Sequence, residues 1–241
     1  MSEPAMPGDR AGAETLEIMS AAPKYNAWMY QAIAPYIGRR VLEVGSGIGN
    51  MSAPMLEAGA EHLVLTDMDP WYRAQLAERF SGRASVRIDE LMLPDDTAAA
   101  RFAADRLDTI VALNVVEHIE NDVGALATMR TMLAPGGRIV ILVPALPAIY
   151  GEMDRELGHF RRYDKPGLTS AFTRAGFTMD RLFWWNRVGV AGWWFNGRVR
   201  KVSRIPVDQL KRFDSLVPVL KLERFLPLPF GQSLIAVGRL A

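Results

Sequence analysis

The stretch Val41-Leu42-Glu43-Val44-Gly45-Ser46-Gly47-Ile48-Gly49-Asn50 decides how this chain is read. An apolar run that empties into alternating glycines reads as a buried strand, a turn and the opening of a helix. Glycine has no Cβ and accepts backbone angles closed to other residues, so Gly45, Gly47 and Gly49 let main chain approach a ligand closely. A dinucleotide fingerprint needs a glycine three places after Gly47, and that place is Asn50. Glu43, just ahead of the turn, would repel a pyrophosphate. The turn is built for a ligand, and a nicotinamide dinucleotide fits it poorly.

Outward from this turn, strand-like and helix-like patterns alternate, the mark of a parallel sheet with crossover helices. The pattern predicts strands at 40–45, 62–67, 84–88, 107–113, 138–143, 178–184 and 233–239. Helices are expected over 48–58, 70–80, 120–133 and 166–175. Ala134-Pro135-Gly136-Gly137 reads as a helix stop and turn before the fifth strand. Two segments fall outside the alternation, helical material at 14–37 and a long insertion at 187–230. In open α/β sheets ligands sit beyond the carboxyl ends of the strands, so both segments are placed to cover a substrate. One domain over 14–241 is expected, after a mobile tail at 1–13.

The 241 residues suffice to bury a full core without staples. With no cysteine, disulfides, thiolate metal sites and cysteine nucleophiles are excluded. Lys and Arg total 28 against 27 Asp and Glu, so no bulk attraction to a polyanion follows and no nucleic-acid partner is expected. Residues 187–224 nevertheless hold nine basic side chains against three acids, a local +6. No apolar run nears the length of about 18 that a membrane span needs. The first residues show no secretory signal pattern, and a cytoplasmic place is expected.

The E-x-G-x-G-x-G run at 43–49 resembles the first motif of the class I S-adenosylmethionine-dependent methyltransferases. That resemblance implies a Rossmann-like fold, a mostly parallel seven-stranded sheet with helices on both faces, and S-adenosyl-L-methionine as cofactor. Glu43, Gly45, Ser46, Gly47, Gly49 and Asn50 would then line the cofactor. The second strand ends in Asp67, 22 residues after Gly45, where a carboxylate can accept both hydroxyls of a ribose. Met68 follows it, and Asp69 reads as a helix cap ahead of Pro70. Asp89 or Glu90, after the third strand, matches the family's acid near the adenine amino group. Leu107 to Ile119 resembles the fourth-strand motif of the small-molecule branch, with Asn114 and Val115 at the pocket and a Glu117-His118 pair beyond. Base-methylating enzymes have a proline pair here, and catechol-type enzymes a metal-holding acid. Neither pattern is present, so no metal is expected. Tyr25 and Tyr30, on an aromatic helix before the first strand, are candidates for closing the pocket, with ordinary helix packing as the alternative.

A methyl donor leaves the protein a positioning problem, with a base needed for a hydroxyl acceptor. Of three histidines, His62 lies at the wrong end of its strand, whereas His118 and His159 fall where an acceptor would sit. Gly158-His159-Phe160-Arg161-Arg162-Tyr163 resembles a motif shared by a bacterial subgroup of the class. His159 is a candidate base, Tyr150 and Tyr163 candidates for positioning the acceptor, and Arg161 or Arg162 for holding an anionic group. The alternative is a structural loop whose arginines pair with Asp154, Glu156 and Asp164. Val188, Gly192, Phe195, Val199 and Val202 form a helical stripe among tryptophans and basic residues, suited to a lipid-like acceptor or to contact with a membrane surface. Methyl transfer to a small-molecule, glycan or lipid-linked acceptor at a hydroxyl oxygen is the expected activity. A non-catalytic cofactor-binding protein and a nicotinamide-dependent oxidoreductase are the alternatives. The oligomeric state is not legible.

Overall fold

The computed structural model describes residues 16–195, 207–226 and 228–240. Seven strands form one sheet: β1 (Arg40–Val44), β2 (His62–Asp67), β3 (Val86–Glu90), β4 (Leu107–Leu113), β5 (Leu133–Pro144), β6 (Phe177–Trp185) and β7 (Ser233–Leu240). Their order is β3-β2-β1-β4-β5-β7-β6. Pairing is parallel from β3 through to β5, and β7 alone runs antiparallel, wedged between β5 and β6. The expected mostly parallel sheet is therefore present. Strand order reverses between β1 and β4, which opens a crevice at their carboxyl ends.

Alternating side chains divide the core into two layers, as a strand's period of two requires. Leu42, Val44, Val64, Ile110, Ala112, Ile139 and Ile141 face one layer, where Phe102, Leu126, Met129 and Phe172 complete the packing. Val41, Leu63, Leu65, Val111, Val140 and Leu142 face the other, against Trp28, Met29, Ile33, Met55, Leu76 and Val217. The first layer is roofed by α4 (Ala98–Phe102), α5 (Asp122–Met132) and α7 (Lys165–Arg174). The second is roofed by α1 (Pro23–Ile33), α2 (Ser52–Glu57), α3 (Pro70–Arg79) and α9 (Val207–Leu220). Short helices α6 (Glu152–Glu156) and α8 (Gly189–Trp194) belong to the loops beyond β5 and β6.

Local chemistry fixes the helix starts. Asp69 caps α3 by accepting the Trp71 N–H at 2.8 Å, with Pro70 at the first helical position, as expected. Asp164 caps α7 in the same way through Gly167, at 2.7 Å.

Several boundaries differ from expectation. The helix expected from 48 begins only at Ser52, because Gly45, Gly47 and Gly49 hold φ of +65°, +52° and +81°, outside the helical region. β3 lies two residues later than expected, so Asp89 and Glu90 are its last residues. The turn at 134–137 is carried inside β5: Gly136 takes φ +79° and the register against β4 shifts between Leu107 and Thr109, so the strand bends there and continues. Helices α4, α6 and α9 were not anticipated. Of the insertion, α9 packs on α1, where the Tyr25 N–H donates to Asp214 Oδ1 at 2.8 Å. The tail at 1–13, the stripe positions Val199 and Val202 and the basic residues 198–204 lie outside the described residues.

Candidate functional site

The glycine turn closes the carboxyl end of β1. A Cβ at Gly45 would come within 2.7 Å of Val115 Cγ2, one at Gly47 within 2.7 Å of Leu16 Cδ1, and one at Gly49 within 2.8 Å of Phe80 Cε2. Real Cβ atoms do not approach so closely, so this turn is closed to any larger residue. Below it Glu43 is buried and accepts the Ser52 hydroxyl. Burial pushes the Glu43 carboxyl up to about 7, with the Ser52 and Ser46 hydroxyls pulling the other way. Ser46 locks the turn to β2: its N–H donates to Thr66 O at 2.9 Å, and its Oγ accepts the Thr66 N–H at 3.2 Å. Asn50 donates through Nδ2 to Leu16 O at 3.3 Å, tying the segment before α1 over the turn.

Asp67 ends β2 beside this turn. Its Oδ2 accepts the Gly47 N–H and its Oδ1 the Asp69 N–H, each at 3.0 Å. Each carboxylate oxygen keeps a further lone pair, so a diol can still be accepted. Burial raises the Asp67 carboxyl, and the two N–H groups offset part of that. Arg73, which the sequence reading passed over, donates Nη1 to the carbonyls of Asp67 and Met68 at 2.9 and 2.8 Å and Nη2 to Glu90 at 3.1 Å. Its signal was a basic residue in the first turn of a helix capped by Asp69. Met68 is 62% exposed beside it. Asp89 stands 3.4 Å from both Arg87 and Arg101, so both candidate adenine acids carry arginine partners. A depression of about 510 Å³, lined by Glu90, Met92, Pro94, Thr97 and Arg101, adjoins them. Another of about 530 Å³, lined by Gly136, Arg138, Thr178 and Asp180, lies at the opposite edge of the sheet, away from the turn.

Tyr25 packs its ring against Trp28, Trp185 and Phe213 at 6.3, 5.3 and 5.9 Å. These are the contacts of a packing residue, and burial raises its hydroxyl pKa. Tyr30 is half-buried against the same layer, and burial raises its hydroxyl as well.

At the end of β4, Asn114 takes φ +54° and its N–H donates to Leu142 O at 2.8 Å, while Val115 meets the glycine turn. Beyond it a single 3₁₀ turn carries Val116 to His118. Glu117 is fully buried, and no other residue gives either of its carboxylate oxygens a hydrogen bond. Burial pushes this carboxyl up to about 8; its own backbone N–H and, less, the nearby Arg162 charge offset only part of the rise.

The loop beyond β5 closes against this turn. Phe160 N–H donates to Glu117 O at 2.8 Å, and Arg161 Nη2 to Glu120 O at 2.7 Å. The His118 and His159 rings meet edge to face, 4.7 Å between centroids. His159 Nδ1 lies 3.0 Å from Asp154 Oδ1, which also accepts Arg162 Nε at 2.7 Å. These contacts bring the two candidate histidines together. His62 instead pairs with Asp105 at 2.7 Å, at the far end of its strand.

Three expectations for this loop are corrected. Tyr163 does not face an acceptor: it is buried, and its hydroxyl donates to Asp122 Oδ2 at 2.9 Å. Arg162 is buried on Asp154 and on Ala145 O, at 2.9 Å, with the Trp193 ring 4.5 Å away, so it grips a carboxylate of its own chain. Arg161 pairs with Asp122 at 2.9 Å, outside the Asp154, Glu156 and Asp164 of the structural alternative, whereas Arg162 on Asp154 follows that alternative. Tyr150 donates its hydroxyl to His159 O at 2.8 Å and so braces that histidine.

A strand–glycine turn–helix unit and an acid closing the next strand, on a seven-stranded sheet whose last strand runs antiparallel, define a class I methyltransferase. In agreement, residues 15–182 match the model of the methyltransferase domain family, and the chain belongs to that family. Two methyltransferases that share the fold were solved with S-adenosylhomocysteine (18% identity, TM-score 0.58) and S-adenosylmethionine (14% identity, TM-score 0.61) bound. The chain is 34% identical over 163 residues to a tRNA U34 carboxymethyltransferase of Methylococcus capsulatus, covering 63% of this chain and 48% of that protein. It is 31% identical over 106 residues to a ubiquinone biosynthesis O-methyltransferase of Cereibacter sphaeroides, covering 44% and 41%. It thus spans about half or less of each of these relatives. A methyltransferase solved in complex with the Haloferax volcanii Trm112 activator shares the fold, with a TM-score of 0.63, 15% identity and 98% and 99% of the chains covered. Among the described residues no helix is long and apolar enough to cross a membrane.

Proposed function

We propose that the protein transfers a methyl group from S-adenosylmethionine to a hydroxyl oxygen of a small-molecule, glycan or lipid-linked acceptor. The observation that carries this reading is the cluster of Glu117, His118 and His159, gathered at the carboxyl edge of the sheet next to the residues that fit the cofactor. When bound, the cofactor supplies an electrophilic methyl on a sulfonium sulfur. Asp67 would accept the ribose hydroxyls, and the backbone of Gly45 to Gly49 would border the amino-acid arm. Asp89 or Glu90 would approach the adenine, and Asn114 and Val115 would line the pocket. His159, braced by Asp154 and Tyr150, and His118 beside it are the groups to take the proton that a hydroxyl acceptor must lose.

An apolar part of the acceptor suits the exposed Trp194, Phe195, Leu216, Val219, Leu222 and Phe225, and the same row is suited to the surface of a membrane. A second reading, an RNA acceptor, is favoured by the name of the Methylococcus capsulatus relative. The test incubates the full chain with labelled S-adenosylmethionine and separate pools of phenolic small molecules, glycans, polar lipids and tRNA, with products identified by mass spectrometry. Label on an oxygen in any of the first three supports the proposal. Label only in tRNA, or only on nitrogen or carbon, overturns it.

A further inference from the structure

We propose that Glu117, His118 and His159 bind one divalent transition-metal ion, such as zinc or manganese, at the acceptor edge of the site. The donor atoms of these three side chains lie within 4.8 Å of one another. Two imidazoles and one carboxylate suit zinc, manganese or iron(II), and suit calcium or magnesium poorly because those ions prefer oxygen throughout.

Two further observations point to a cation there. The Glu117 carboxylate is fully buried, with no hydrogen bond from any other residue on either oxygen. A carboxylate stripped of water in this way is costly unless a counter-charge meets it. The Arg162 charge offsets part of that cost but makes no hydrogen bond to Glu117: Nε and Nη1 go to Asp154 and Ala145, and Nη2 is buried without a partner. The second observation is the Asp154 carboxylate 3.0 Å from His159 Nδ1. A carboxylate on one ring nitrogen fixes the tautomer and turns the other nitrogen outward as a lone-pair donor, the usual support of a metal-bound imidazole.

Donors around one ion at about 2.0–2.2 Å stand roughly 3–4 Å apart. Rotation of the exposed His118 ring is the movement that closes the cluster to that size. The Phe160 N–H on Glu117 O holds the two loops in register while it does so. Three protein donors leave a coordination position open, which is the arrangement of a site that receives an outside oxygen. Use of that position by an acceptor hydroxyl rests on the function proposed above. Binding of the ion does not.

The experiment treats the full chain with a chelator, removes it, and titrates Co²⁺ and then Zn²⁺ by calorimetry and visible absorption. The expected result is one ion per chain, with Co²⁺ bands of a nitrogen-ligated site. Glu117→Gln and His159→Ala abolish binding, and Asp154→Asn weakens it by about 10- to 100-fold. S-adenosylhomocysteine binding, measured in parallel, reports the fold of each variant. Should His159→Ala lose that binding too, the shape-preserving Glu117→Gln decides. Wild-type protein that binds Co²⁺ no better than Glu117→Gln overturns the proposal. Oxygen methylation by fully stripped protein without metal would leave the proposed function standing and remove the catalytic use of the ion. Metal binding without methylation of any hydroxyl acceptor would do the reverse.

Discussion

Replacing Asp67 with asparagine sets two backbone donors against a group that can serve only one of them. In the native chain Gly47 and Asp69 each direct an N–H at one carboxylate oxygen, both at 3.0 Å. An amide of the same shape keeps one acceptor and turns an NH₂ toward the other N–H, whichever way it is flipped. One backbone donor is then left without a partner, which costs about 1–3 kcal/mol of stability where it is the buried Gly47 N–H and less where it is the half-buried Asp69 N–H. For the cofactor, one ribose hydroxyl loses a charged acceptor, about 1.5–3 kcal/mol and hence about 10- to 150-fold in Kd. Titration calorimetry with S-adenosylhomocysteine reads the second effect and urea unfolding the first. A Kd indistinguishable from wild type in a folded variant would refute the assignment of Asp67 to the ribose.

Glu43→Gln tests the acid beneath the glycine turn. Its folded carboxyl, near 7, is raised from the ordinary 4.5, so between these values the folded state holds the extra proton. The Glu43 contribution to stability therefore falls as pH rises from about 4.5 to about 7 and is level above, a change on the order of 3 kcal/mol at most. Glu117 and Asp67, also raised, add slopes of the same sign, so urea unfolding across pH should show a shallower fall in the variant than in the wild type; equal slopes would exclude a Glu43 contribution. Gly45→Ala forces φ +65° on a residue with a Cβ 2.7 Å from Val115. It should cost about 1–2 kcal/mol in backbone strain alone and weaken cofactor binding, both read in the assays above. Arg162→Met leaves Asp154 buried with only His159 and the Gly151 N–H, and should lower stability by about 3–5 kcal/mol in the same unfolding assay.

The fold was legible because its two signals are local. The alternation that separates Val41 from Leu42, and Ile110 from Val111, names a sheet buried on both faces. The glycines at 45, 47 and 49 name the turn. Element ends were less legible where a glycine bends a strand without ending it, as Gly136 does in β5. Helix α9 carried no start signal strong enough to announce it. Within the site, the residues of the turn are adjacent in sequence and so could be named from it, while partners far along the chain could not. Asp122 claims Arg161 and Tyr163 from across the chain, pairings that only the closed loops create, whereas Asp154, a partner the sequence had suggested for the arginines, takes Arg162 and His159 within its own loop. Tyr163 was misread for this reason. An exposed-looking aromatic in a polar loop became interior once its hydroxyl had found a carboxylate across the fold.

The stitching of the strap after β5 onto the one after β4, through Phe160, Arg161 and Tyr163, bears on how substrate choice can change in this scaffold. The strap after β5 supplies the donors and the one after β4 the carbonyls and the acid, so each satisfies groups of the other. A chimera that imports residues 145–163 from a relative should therefore fold poorly unless 114–122 travel with it. Drift in specificity at this rim is expected to proceed by paired replacement in the two straps.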